Sequence, residues 1–128
     1  MSDAVAAVII CVAGGVGAAL RLMLDGLIRA QIKSTYPVGT TVINLTGSFL
    51  LGLLTGLATS QMVPHQWQLI IGTGLLGGYT TFSTASFETV RLIEDRRYVA
   101  AGLNGLGMLL ICTTTAATGF AAALLLIR

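Results

Sequence analysis

Residues 77–88 read GGYTTFSTASFE, and this stretch decides how the rest of the chain is interpreted. It places two glycines, four Ser or Thr residues within the next seven positions, and an acid inside an otherwise apolar segment. Adjacent glycines are poor helix formers, and Ser and Thr side chains can satisfy the backbone groups that a broken helix leaves free. Irregular backbone at membrane depth is tolerated only where protein buries it or a polar cavity wets it. The stretch therefore predicts a broken membrane span beside an ion or solute site.

The composition of the whole chain indicates an integral membrane protein. Of its 128 residues, 55% are hydrophobic and only 9% are charged, whereas a soluble domain carries about a quarter charged residues. The lipid bilayer is therefore an expected partner. No basic cluster is interleaved with aromatic residues, so nucleic acid is not expected to bind. The sequence contains no nucleophile–base pair and no metal-ligand cluster, so we do not expect an enzyme.

Four apolar segments are long enough to cross the hydrocarbon core, which takes about 20 residues. They extend over residues 4–24, 38–58, 67–93 and 98–127, and the third contains the interruption at residues 77–86. We predict one all-α membrane domain over residues 1–128, with four transmembrane helices of which the third is broken mid-membrane. Small residues recur four positions apart, a spacing that lets helices pack closely. Because four short helices enclose little interior, we also expect an oligomer with a solute pathway between subunits.

Polar side chains within the spans mark the candidate site. Asn44 lies mid-span, and Thr40 lies one helical turn before it on the same face. Two interpretations of Asn44 are open: its amide hydrogen-bonds a neighbouring helix, or its NH2 group replaces water around an anion. Phe82 either packs in the core or turns the electropositive edge of its ring toward an anion. Weak and numerous donors suit conduction, since tight binding by a cation would trap the anion.

Two charged residues fall near the ends of spans, on the same side of the membrane. Arg21 lies near the end of the first span, and Glu88 lies near the end of the third. They are expected either to form a structural ion pair, which lowers the cost of charge near hydrocarbon, or to flank the mouth of a pore. The sequence leaves both alternatives open.

In order and spacing, three groups of residues resemble the Fluc (CrcB) fluoride channels. These groups are GGVGAALR at 14–21, the set Gly39, Thr40, Asn44, Gly47 and Gly52, and the segment 74–88. The resemblance covers essentially the whole chain, and the portion GGYTTFST at 77–84 is highly specific. It implies passive, fluoride-specific export of cytoplasmic fluoride across the cell membrane. It also implies an antiparallel, dual-topology dimer with two pores and a structural Na⁺ at its centre.

The resemblance further implies roles for individual residues. The backbone carbonyls of Gly77 and Thr80 are expected to coordinate the Na⁺, a hard cation that prefers oxygen ligands. Arg21 is expected in a vestibule, with Glu88 on the same side of the membrane. The expected fluoride path comprises Asn44, Phe82, Ser83, Thr84 and Thr40.

Two features of the chain depart from the family's pattern. The family has a second phenylalanine three residues after the first, and here that position is Ala85. The fourth span has Asn104, Thr113 and Thr114 where the family has a track of Tyr and Ser. In addition, six Lys or Arg residues fall on the side of the first and third connectors, and only Arg128 falls on the side of both termini. This bias predicts a single orientation with both termini outside.

The altered pore residues and the charge bias both fit a subunit of a heterodimeric fluoride channel, whose partner inserts in the opposite sense and supplies the missing groups. An antiparallel homodimer is the alternative. Two other functions also stay open. A small multidrug-type, proton-coupled exporter would require a membrane-embedded carboxylate, which the first span lacks before Asp25. A non-conducting assembly subunit is compatible with the altered pore residues.

Overall fold

The protein is all-helical over the residues that its computed structural model describes, 2–127. Arg128, the basic residue assigned to the side of the termini, lies outside the described residues. Helix α1 extends over Asp3–Gln31 and α2 over Val38–Thr59, and a further long helix, α5, extends over Tyr98–Leu126. Each of these three helices is long and apolar enough to cross a membrane.

Two shorter helices connect α2 to α5. Helix α3 covers residues 65–79 as one helical run, and its central part, Gln68–Leu76, has π-type hydrogen bonds. Helix α4 covers Ser83–Glu94, and residues 80–82 between the two helices are not helical. The segment predicted as the third span corresponds to this pair. Each of the two helices is shorter than the roughly 20 residues that a crossing requires.

Helix α1 is longer than the first span predicted from the sequence. A polar connector was expected after residue 24, but the helix continues to Gln31. Asp25 and Arg29 are one helical turn apart, and Arg29 Nε donates a hydrogen bond to Asp25 Oδ2 at 2.8 Å. An ion pair at this spacing stabilises a helix. The charged residues therefore extend α1 beyond its apolar part instead of ending it.

Glycines set the distance between neighbouring helices. A Cβ atom on Gly78 would overlap the Gly14 carbonyl, so α3 and α1 touch backbone to backbone. A Cβ atom on Gly52 would likewise overlap the Ala116 carbonyl, which brings α2 and α5 into the same kind of contact. The small residues that recur four positions apart are thus used, as expected, for close packing of helices, here within the chain. Their spacing is no evidence for a contact between subunits.

The glycine pair at 77–78 is not the point at which the helix stops. Gly77 and Gly78 are both helical, and no glycine among residues 2–127 has a positive φ. The chain leaves the helix at Thr80, whose ψ of 160° is extended. The interruption is therefore shorter than the predicted one and begins after the glycines. Gly78 serves the close contact with α1.

Candidate functional site

The interruption between α3 and α4 is held by Asn44 of α2. Asn44 Oδ1 accepts a hydrogen bond from the Thr81 N–H, and Asn44 Nδ2 donates to the Thr81 carbonyl, both at 2.9 Å. Asn44 Nδ2 also donates to Sδ of Met108 on α5, at 3.2 Å. One buried side chain thus satisfies both backbone groups of Thr81. Left unpaired in hydrocarbon, each of those groups would cost several kcal/mol.

Two carbonyls beside the interruption lose their ordinary helical donors. In an α-helix the N–H of each residue donates to the carbonyl four residues earlier. The Thr81 N–H donates to Asn44 instead of the Gly77 carbonyl. The Thr84 N–H donates to Thr81 Oγ1, at 3.1 Å, instead of the Thr80 carbonyl. The two carbonyls predicted as Na⁺ ligands are therefore free of the helical hydrogen bonds that would normally occupy them.

A groove of about 600 Å³ opens beside the interruption. Asn44, Thr80 and Phe82 lie in its wall, together with Ala85 of α4 and Asn104 of α5. Its polar groups are amides and hydroxyls, and no charged side chain among residues 2–127 lines it. The Phe82 side chain is almost fully exposed, at 87%. The groove presents an exposed aromatic ring and neutral polar side chains, and the amide hydrogens of Asn44 and Asn104 are already donated within the chain.

Asn104 belongs to this site, although the predicted fluoride path did not include it. It is 1% exposed, and its Nδ2 donates to the Ala85 carbonyl at 3.0 Å and to Thr89 Oγ1 at 2.8 Å. These bonds tie α5 to α4 at the position where alanine replaces the expected second phenylalanine. The available signal was an amide side chain within an otherwise apolar span.

A second polar cluster joins α1, α2 and α4 near the first connector, and we call it the connector-side cluster. In it, Glu88 Oε1 accepts hydrogen bonds from Arg29 Nη2 and from Thr40 Oγ1, each at 3.0 Å. Arg21 donates to Thr84 Oγ1 at 3.4 Å. Glu88 is thus paired with Arg29 and not with Arg21, the partner considered from the sequence. The longer α1 explains the difference, because it places Arg29 on the helix, two turns beyond Arg21.

The residues of the predicted fluoride path fall in different places in the single chain. Asn44 and Phe82 line the groove. Thr40 is buried, and it belongs with Thr84 to the connector-side cluster. Ser83 is exposed and lies outside the groove wall. The structure therefore brings the amide and the aromatic ring together at the interruption and places two of the hydroxyls beside the charged residues.

The sequence matches the family described as CrcB-like protein, Camphor Resistance (CrcB), over residues 8–120. It is 52% identical over 110 residues to the Fluoride-specific ion channel FluC 1 of Leifsonia xyli subsp. xyli, covering 86% of this chain and 80% of that protein. It is 47% identical over 98 residues to the FluC of Syntrophotalea carbinolica, covering 76% and 80%. It is 39% identical over 113 residues to FluC 3 of Bifidobacterium longum, covering 88% and 93%. Similarity of this degree over most of its length shows that the chain belongs to the CrcB family.

Proposed function

We propose that this chain is a subunit of a fluoride-specific channel, which lets cytoplasmic fluoride leave the cell passively down its electrochemical gradient. The observation that carries the proposal is the neutral groove at the interruption, in a chain 52% identical to a protein named a fluoride-specific ion channel. Amides, hydroxyls and an aromatic ring bind a small anion weakly. An anion held in this way can leave again, which conduction requires.

The fluoride path would pass Asn44 and Phe82. One hydrogen of the Asn44 amide points to Met108 Sδ, and a thioether is a weak acceptor. An anion in the groove would therefore compete for that hydrogen at small cost. The exposed ring of Phe82 would present its electropositive edge. The hydroxyls of Ser83, Thr84 and Thr40 would continue the path toward the connector-side cluster, where Arg21 would attract the anion from the vestibule.

The channel would be an antiparallel dimer in which α3 and α4 together make a fourth, interrupted crossing. Neither helix is long enough to cross alone, whereas the joined segment from residue 65 to residue 94 is. Phe82 and Phe87 are exposed on one chain, at 87% and 62%. Exposed aromatic rings beside a groove are typical of a surface that a second subunit covers.

A structural Na⁺ would lie where the two interruptions meet. The carbonyls of Gly77 and Thr80, which lack their helical donors, would supply its ligands. Carbonyl oxygens from two subunits fit a hard cation in number and kind. The bound charge would make the protein centre more favourable for anions in the neighbouring grooves.

Preparing the channel without Na⁺ tests this site. With Na⁺ at about 100 times its dissociation constant, binding would stabilise the dimer by about 2.7 kcal/mol. We therefore expect a protein extracted and purified with N-methylglucamine as the only added cation to dissociate at lower temperature and to lose fluoride flux. Adding Na⁺ back should reverse both effects, whereas adding more N-methylglucamine should not. Equal dimer stability and equal flux in the two preparations would exclude the site.

The lysine and arginine bias favours a heterodimer with a second CrcB-like subunit of opposite orientation. Six basic residues lie on the side of the first and third connectors, and only Arg128 lies on the side of the termini. This bias predicts that every copy inserts with both termini outside. A homodimer would require half of the copies to insert against this bias. Two of the relatives bear numbered names, FluC 1 and FluC 3, as members of sets of such proteins do.

Reconstituting the purified chain alone in liposomes separates these arrangements. A fluoride electrode would record fluoride efflux, with protein-free liposomes and chloride efflux as controls. We expect little efflux from the chain alone and robust efflux when a second CrcB-like subunit from the same cells is co-purified. Robust efflux from the lone chain would overturn the obligate heterodimer and leave the homodimer. Absence of efflux in both preparations would overturn the channel function itself and favour a non-conducting assembly role.

A small multidrug-type exporter has less support than a fluoride channel. Such an exporter needs a carboxylate that is free to exchange protons and cationic drugs within the membrane. Asp3 and Glu94 lie at the outer ends of α1 and α4. The other two acids of these helices, Asp25 and Glu88, are both bound to Arg29, at 2.8 and 3.0 Å. Neither lines the groove.

A further inference from the structure

A second cavity lies away from the groove, where α5 begins. Its volume is about 550 Å³, and it is lined by Tyr36 of the first connector, by Arg96 and Arg97, and by the first turns of α5. Both arginine side chains are exposed, and no carboxylate among residues 2–127 forms an ion pair with either of them. Glu94 and Asp95 precede the two arginines in the same turn but form no ion pair with them, so both guanidinium groups are open to a phosphate, which they bind through paired hydrogen bonds.

The arginines lie in a turn that is closed by backbone hydrogen bonds. The Arg96 N–H donates to the Ile93 carbonyl at 2.9 Å, and the Arg97 N–H donates to the Leu92 carbonyl at 2.8 Å. Tyr98 follows directly and lines the cavity together with Tyr36. Aromatic side chains of this kind lie at the level of lipid headgroups in membrane proteins. The cavity is thus placed at the membrane surface, at the start of a helix that can cross the bilayer.

An apolar stripe descends α5 from this cavity. It consists of Val99, Leu103, Leu106 and Leu110, whose exposed fractions are 81%, 58%, 71% and 68%. Their spacing of three or four residues places them on one face of the helix. From the first to the last, the stripe is about 16 Å long at 1.5 Å per residue. One leaflet of the hydrocarbon core, about half of 30 Å, has the same depth.

We propose that this cavity and stripe bind one anionic phospholipid, with its phosphate at Arg96 and Arg97 and an acyl chain along the stripe. The two arginines complement the phosphate charge, and the length of the stripe complements a single leaflet. Neither a soluble anion nor a peptide would use both features. The site lies apart from the fluoride groove, and lipid binding does not depend on the proposed channel function.

Lipid retention in native mass spectrometry tests the proposal. The purified channel would be titrated with phosphatidylglycerol and, separately, with phosphatidylcholine. We expect preferential binding of phosphatidylglycerol, because one basic residue near the surface contributes about fivefold to anionic lipid affinity. The double variant Arg96→Gln/Arg97→Gln should lose about 25-fold in affinity for phosphatidylglycerol and, with it, most of the preference for phosphatidylglycerol over phosphatidylcholine.

Arg91→Gln is the matched control, because Arg91 is exposed on α4, lies over the Phe87 ring at 5.8 Å and does not line the cavity. It should bind phosphatidylglycerol as the unmodified channel does. An unchanged affinity in the double variant, or an equal loss in the control, would overturn the site. Competition by glycerol 3-phosphate at equal concentration would indicate a soluble phosphate as the ligand instead. A change of oligomeric state in the double variant, seen by size-exclusion chromatography, would indicate that a subunit covers this face.

Discussion

Replacing Asn44 by aspartate is expected to reduce fluoride flux by about 100-fold or more. The amide now donates to the Thr81 carbonyl and accepts from the Thr81 N–H. A carboxylate can still accept the hydrogen bond from the Thr81 N–H, but it has no hydrogen to donate to the Thr81 carbonyl. The carbonyl oxygen would then face a carboxylate oxygen, and the two would repel each other. It would also place a full negative charge beside the proposed anion path. Two like charges about 4 Å apart repel by about 4 kcal/mol at an effective dielectric constant near 20, and each 1.4 kcal/mol is a factor of ten.

Fluoride efflux from liposomes measures this effect, and size-exclusion chromatography separates it from a failure to fold. If Asn44 acts only through its hydrogen bonds to Thr81, Asn44→Asp should fail to give a folded dimer. If assembly tolerates the loss of the bond to the Thr81 carbonyl and Asn44 contacts the anion, a folded, normally assembled protein without flux is expected. Gln66→Glu is the control, because it adds the same negative charge elsewhere. Gln66 is exposed in the first turn of α3, so this variant should leave the flux unchanged. Normal flux through Asn44→Asp would contradict the proposed path.

Replacing Phe82 by isoleucine is expected to lower fluoride flux by roughly one to two orders of magnitude while leaving the fold intact. Isoleucine keeps the apolar bulk but lacks the electropositive ring edge that would contact the anion. Because the Phe82 side chain is 87% exposed in the single chain, it contributes little to packing within the subunit. Protein yield and melting temperature should therefore stay close to those of the unmodified chain.

The matched control for this variant is Phe87→Ile. Phe87 is also an exposed aromatic residue of the same segment, at 62%, but it does not line the groove. Fluoride efflux should fall for Phe82→Ile alone. An equal fall in both variants would indicate that the rings act by packing against a second subunit. No fall in either would remove the aromatic ring from the proposed mechanism.

The membrane character of the chain and its helices could be predicted from local sequence. Long apolar segments with few charges predict spanning helices, and α1, α2 and α5 have the expected length and composition. The end of α1 could not be placed by hydropathy alone, because Asp25, Arg29 and Gln31 interrupt the apolar sequence over its last two turns. An ion pair between Asp25 and Arg29, one turn apart, stabilises the helix there by about 0.2–0.5 kcal/mol. Local composition describes how a segment partitions into lipid, and it does not report such contacts.

The site was harder to predict because its contacts join distant parts of the chain. The sequence drew attention to residues 77–88 but attributed the interruption to two glycines. In the structure, Gly78 makes room for α1, and the chain turns at Thr80 with its next backbone groups bound to Asn44. Similarly, the pairing of Glu88 with Arg29 depends on how α4 lies along α1. Neither contact leaves a periodic signal in the sequence.

The hydrogen bonds between Asn44 and Thr81 also bear on how the protein is made. The two residues are 37 positions apart, so α2 leaves the ribosome well before its partner. Until residues beyond Thr81 have been synthesised and inserted, the amide of Asn44 lacks the backbone groups that it binds in the finished chain. The groove takes shape only when the later helices join α2. Biogenesis therefore assembles the site after most of the subunit is already in the membrane, and partly synthesised chains do not yet contain it.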